Sequence, residues 1–207
     1  MNLPNKLTFF RLILVPIFMT FTVIDNVWTR IFALFIFIAA SLTDLFDGYF
    51  ARKYGEVTTL GAFMDPLADK FLISAALVCF VGMKELNVPS WMVVLIIGRE
   101  FLITGLRTVA ASKGIIISAD RLGKFKTTSQ IISIIFILII LCVNSILSDF
   151  YQIHSHELID KPDIYYPYIG NILIWASYWL VFVATIFTLI SGISYLYKNR
   201  SVFSEQV

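Results

Sequence analysis

Uncharged apolar stretches recur along the whole chain, and this spacing restricts it to architectures that can use lipid as solvent. They run over residues 12–24, 31–43, 71–83, 86–98, 127–148 and 165–197. A leader peptide or single anchor would concentrate its apolar residues in one short N-terminal block, so neither explains the pattern. The third and fourth stretches have only 13 residues each, short of the roughly 20 that a span needs. Their weakly polar flanks extend them to 61–85 and 90–111 and restore the length. The competing reading makes these two the buried helices of a soluble core, but the last two stretches need no such help. Composition agrees: 58% of the residues are hydrophobic with Gly left out, against roughly 45–50% with Gly counted in a soluble domain. The expectation is one all-α domain over 1–207, a polytopic membrane protein with six transmembrane helices at 7–24, 28–51, 61–85, 90–111, 123–147 and 168–197.

Six crossings sort the basic residues. One side receives Lys6, Arg11, Arg52, Lys53, Lys70, Arg99, Arg107, Lys113, Arg121, Lys124, Lys126, Lys198 and Arg200; the other receives Arg30, Lys84 and Lys161. Positive charge accumulates on the cytoplasmic side, which places both termini there and the protein in the cell membrane. A net charge of +2 is too small to suggest nucleic acid. Cys79 and Cys142 fall inside expected helices, where small buried hydrophobes are the reading and no disulfide is expected. His154 and His156 make an H-x-H in the outer loop, and two ligands alone do not make a metal site.

The cytoplasmic side carries the chemistry. Residues 44–69 read DLFDGYFARKYGEVTTLGAFMDPLAD. At about 100° per residue, Asp44, Asp47, Gly48 and Ala51 share one helix face, and Gly61, Asp65, Ala68 and Asp69 share another. A short turn between the two helices lets the faces meet at one depth, so four carboxylates converge just inside the membrane. Bare, such a cluster is untenable, because like charges repel in low dielectric. Two divalent cations neutralise it, and carboxylate oxygen is the ligand Mg²⁺ prefers. Ion pairs to Arg52 and Lys70 would satisfy two acids and leave two over. The small residues have two readings: close approach of a phosphate, or ordinary helix packing in a membrane.

Asp44-x₂-Asp47-Gly48-x₂-Ala51-Arg52-x₈-Gly61-x₃-Asp65-x₃-Asp69 resembles, without departure, the signature of the CDP-alcohol phosphotransferases. The resemblance rests on 26 of 207 residues. It implies six transmembrane helices, a homodimer, Mg²⁺ or Mn²⁺, and transfer of a phosphatidyl group from CDP-diacylglycerol to an alcohol. It also implies that Asp44, Asp47, Asp65 and Asp69 are metal ligands, with Asp69 the proton acceptor as well. Gly48, Arg52 and Thr58 become contacts to the CDP-lipid, and Ala51 and Gly61 stand on the same faces.

The acceptor alcohol needs a separate argument. Arg107, Arg121, Lys124 and Lys126 lie at the ends of the fourth and fifth helices, on the aspartate side. They are either ordinary loop charge attracted to anionic headgroups or a site for an acceptor that carries phosphate. Gly123-Lys124-Phe125-Lys126-Thr127 favours the second, because the amides of a helix N-terminus also favour an anion. Residues 2–11 and 120–127 resemble the branch of the family that uses sn-glycerol 3-phosphate. Asn5, Thr8 and Arg11 either line the nucleotide site or, in the case of Lys6 and Arg11, anchor the first helix at the interface. The same chemistry with inositol phosphate or a phospholipid as acceptor stays open. A divalent-cation transporter ranks below it, since the first, fifth and sixth helices bring no acid into their apolar spans. Arg99 and Glu100 point about 100° apart and are each expected to find their own partner.

Overall fold

Six helices account for the structure, a computed structural model that describes residues 3–54, 59–112, 121–152 and 165–199. For residues 3–8, 44–54, 59–69, 112, 121–122, 124 and 165–167 only the helical backbone is described. The helices are α1 (Leu3–Val23), α2 (Val27–Tyr54), α3 (Thr59–Val81), α4 (Ser90–Ser112), α5 (Arg121–Tyr151) and α6 (Tyr165–Lys198). There is no strand among the described residues.

Local chemistry sets the ends. Asn26 begins α2 by accepting the Trp28 amide on Oδ1 at 2.9 Å, and Asp149 of α5 accepts the Val27 amide at 3.1 Å. Two of the first unpaired amides of the helix are thereby satisfied. The third helix stops at Val81, short of the expected 85. Its last turn tightens as the Gly82 and Met83 amides reach the carbonyls of Cys79 and Phe80, at 3.2 and 3.3 Å. Pro16 lies inside α1 and removes one rung of its ladder.

The helices alternate in direction, and the two ends of the bundle differ in kind. At one end Arg30, near the start of α2 and 3% exposed, joins Asp25 (3.1 Å), Glu85 (2.9 Å) and Ser145 Oγ (2.8 Å). These come from the α1–α2 connection, the α3–α4 connection and the end of α5. Ser177 of α6 accepts the Asn87 amide near the same end. At the other end lie the starts of α1, α3 and α5 and the ends of α2, α4 and α6. Between them Phe18, Phe37, Phe80, Met92, Ile134, Leu138 and Val181 form a continuous apolar core. Cys79 and Cys142 are free and buried in it.

The outer surface inverts the pattern of a protein built for water. Phe9, Trp28, Phe35, Val78, Val94, Phe136 and Trp179 are exposed, so every helix presents large apolar side chains outward. Soluble monomers rarely expose apolar patches of more than a few hundred Å². Two segments, Phe125–Tyr151 and Tyr168–Lys198, are long and apolar enough by themselves to cross a membrane.

Candidate active site

The aspartate signature lies on continuous helix. Asp44, Asp47, Gly48, Ala51 and Arg52 belong to the last part of α2, and Gly61, Asp65 and Asp69 to the first part of α3. The helical periodicity used to group them therefore applies, and α2 and α3 are in contact. Their side chains, Thr58, and the side chains of Asn5 and Thr8 in α1 lie outside the described residues. Arg11 of α1 is 2% exposed, so its guanidinium is inside the bundle and not at the lipid interface.

Immediately after Asp69 the side chains are described, and they line a small, partly open cleft. Lys70 of α3 donates to Thr104 Oγ1 of α4, and Thr104 in turn donates to the Glu100 carbonyl at 2.7 Å. Lys126 of α5 donates to Glu100 Oε1. Gln130, one turn further along α5, donates to Thr188 Oγ1 of α6 at 3.0 Å. Lys70, Ser74, Glu100, Lys126, Thr127 and Gln130 line a common cavity with Ile73 and Ile96. The middle of α3 thus shares its level with the charged middle of α4 and the first turns of α5.

The four basic residues assigned to an acceptor separate. Lys126 is 5% exposed and faces this cleft, which removes it from the class of solvated loop charges. Arg107 is exposed, with its guanidinium carbon 5.8 Å from the centre of the Tyr195 ring. Such a contact holds a cation by the ring quadrupole and leaves its hydrogen-bond donors available. Arg121 and Lys124 stand in the first turn of α5, with side chains outside the described residues. Lys113 and the two histidines of the long outer loop also fall outside.

Arg99 and Glu100 each find a partner of their own, as expected, and in addition approach each other. Glu100 takes Lys126 as its partner, but the long Arg99 side chain also curls back, with Nη1 3.6 Å from Glu100 Oε1. Its Nη2 donates to Ser191 Oγ of α6 at 2.8 Å. Gly192 makes that course available, since a Cβ there would lie 3.1 Å from Arg99 Cγ. Residue directions on a helix constrain Cβ, while a side chain of this length can turn through the intervening angle. The pair was not among the expected site residues; the signal that could have found it is its charge in the middle of an apolar span, where ionisable groups are functional by default.

Comparison with known proteins fits this arrangement. Residues 1–190 match the family model described as CDP-alcohol phosphatidyltransferase. The chain belongs to that family. A Bacillus subtilis (strain 168) protein named CDP-diacylglycerol–glycerol-3-phosphate 3-phosphatidyltransferase is 39% identical, covering 96% of this chain and 95% of its own length. Proteins of the same name from Rickettsia typhi and Shigella flexneri are 35% and 32% identical, each covering 98% or more of both chains. Family membership and the apolar helices together make this a membrane protein and a CDP-diacylglycerol-type phosphatidyltransferase.

Proposed function

We propose that this chain transfers a phosphatidyl group from CDP-diacylglycerol to sn-glycerol 3-phosphate, giving phosphatidylglycerol phosphate and CMP. The observation that carries this reading is the buried Lys126, facing a cleft shared with Lys70, the neighbour of Asp69. A buried cation next to the acid signature suits an acceptor that brings its own phosphate, which serine or choline does not. The names of near full-length relatives support the same donor and acceptor.

Asp44, Asp47, Asp65 and Asp69 would hold two divalent ions, Mg²⁺ or Mn²⁺. The donor set fits, because four carboxylates spaced one turn apart on two helices supply the oxygen ligands that hard divalent cations take. Bound there, the ions would neutralise pyrophosphate and stabilise charge on the attacking and leaving oxygens. Asp69 accepts the proton of the acceptor hydroxyl as its oxygen attacks the β-phosphorus in line. The bond from that phosphorus to the bridging oxygen breaks, and CMP leaves. Gly48, Ala51 and Gly61 keep bulk away from the nucleotide, and Asn5, Thr8, Arg52 and Thr58 contact the donor. Lys126, with Arg107, Arg121 and Lys124, takes the acceptor phosphate by charge-assisted hydrogen bonds.

All six helices cross the cell membrane in this reading, as one domain over 1–207, with both termini and the site on the cytoplasmic side and the chain acting as a homodimer. The deciding experiment supplies purified protein with CDP-diacylglycerol, Mg²⁺ and a panel of alcohols, then identifies the lipid formed. Phosphatidylglycerol phosphate is the expected product; an inositol-phosphate or phospholipid product instead would reassign the acceptor.

A further inference from the structure

Glu100 has no place in the aspartate signature, yet it is the anion at the centre of the cleft. Lys126 donates to its Oε1 from α5, and Arg99 Nη1 lies 3.6 Å from the same oxygen. Glu100 is 7% exposed and Lys126 5%. The main packing of α4 is against α6 and α3, and the Glu100–Lys126 pair joins α4 to α5 beside a small cleft, where these two helices otherwise have little contact. As a simple staple it would be a poor choice, since a desolvated ion pair is often no better than an apolar contact of the same volume. Two cations on one carboxylate also leave this trio with a surplus of positive charge, which an incoming anion can satisfy.

A lysine is a compact charge on a flexible four-carbon stem, and a site that must receive phosphate at one place needs that stem held. Gln130, one turn along, is held by its hydrogen bond to Thr188, which ties the cleft wall beside Lys126 to α6. We propose that Glu100 is a positioning residue for the acceptor: it keeps the Lys126 ammonium at the cleft wall, where the acceptor's phosphate monoester docks. This rests on the functional reading above. Glu100 itself does not touch the phosphate, being of like charge; it acts through Lys126.

The test measures glycerol 3-phosphate kinetics with the purified full chain, CDP-diacylglycerol and Mg²⁺, in the parent, Glu100→Gln, Lys126→Met and the double variant. Glu100→Gln is expected to raise KM for glycerol 3-phosphate about tenfold, with kcat, KM for CDP-diacylglycerol and the melting temperature near parental. Added to Lys126→Met, the same change should alter that KM by less than about twofold, because its means of action is already gone. Glu100→Asp keeps the charge at shorter reach and should raise KM about threefold. If Glu100→Gln does not fold, the Asp variant in both backgrounds reads the same coupling. A tenfold effect that persists without Lys126, an equal rise in both substrates' KM, or a parental KM in Glu100→Gln would overturn the inference. A parent that makes no phosphatidylglycerol phosphate but transfers to another alcohol would overturn the functional reading itself.

Discussion

Asp65 and Asp69 stand one turn apart on α3, with Asp69 adjoining Lys70 and the polar cleft. In the proposed reaction that difference in position gives them different work. An alcohol is a poor nucleophile at neutral pH, and a positioned base contributes about 10²–10⁴-fold. Asp69→Asn, nearly isosteric, is therefore expected to bind CDP-diacylglycerol in the presence of Mg²⁺ while losing turnover by about that factor. Asp44→Asn should weaken metal and donor binding directly. Titrating Mg²⁺ and donor in each variant separates the two, and near-parental turnover of Asp69→Asn at saturation would return Asp69 to metal binding alone. On the acceptor side, Lys126→Ala and Arg107→Ala should each raise KM for glycerol 3-phosphate while sparing KM for CDP-diacylglycerol. A lost charge-assisted contact costs about 1.5–3 kcal/mol. Lys126 is buried and Arg107 exposed, so the larger effect belongs to Lys126. Unchanged KM in both would make Arg107 loop charge and Lys126 a structural partner of Glu100 alone. That these acids fall one turn apart on continuous helix was legible in sequence, because spacing is a property of one helix at a time. Glu100 was not, because its partner sits 26 residues away on α5, and helical direction alone does not say which helix comes alongside.

At the scale of elements, sequence placed all six helices, and the differences lie at their ends. The end at 85 comes from adding weakly polar flanks to reach spanning length, which carries no stop signal, whereas the turn at Gly82 and Met83 ends α3 at Val81. Arg30 was counted simply as charge on the outer side, yet it is 3% exposed and ties three segments together. Its Nη1 reaches Asp25, Ser145 Oγ and the Leu141 carbonyl, and its Nη2 reaches Glu85. Removing one partner of a fully buried pair typically costs about 3–5 kcal/mol. Here Asp25 is 52% exposed and Glu85 26%, so both can regain water. Arg30→Met is accordingly expected to cost less, about 1.5–3 kcal/mol. Thermal unfolding in detergent should show the loss, while KM values at low temperature stay parental, because this cluster lies at the end of the bundle away from the cleft. An acceptor KM that shifts at low temperature would mean the two ends are coupled.

For the whole molecule, the polar cleft and the acid signature gather at one end of an alternating bundle whose sides are apolar, and the Arg30 cluster closes the other end. A donor anchored in lipid by its acyl chains and an acceptor dissolved in water can meet only where such a cleft reaches one membrane face. The basic residues choose which face. With all six helices crossing, as proposed, thirteen of the sixteen Lys and Arg residues would fall on the signature's side, leaving Arg30, Lys84 and Lys161 for the other. Arg30 is held by carboxylates, so even fewer than three are open charges on that face. Positive residues flanking spans are retained in the cytoplasm. Single cysteines introduced at 52–60 or 113–121, in a background lacking Cys79 and Cys142, should therefore resist an impermeant thiol reagent on intact cells. Those at 149–163 should react. Reaction from outside at position 55 would put the signature on the wrong face for a cytoplasmic sugar phosphate, and the acceptor assignment would fall with the topology.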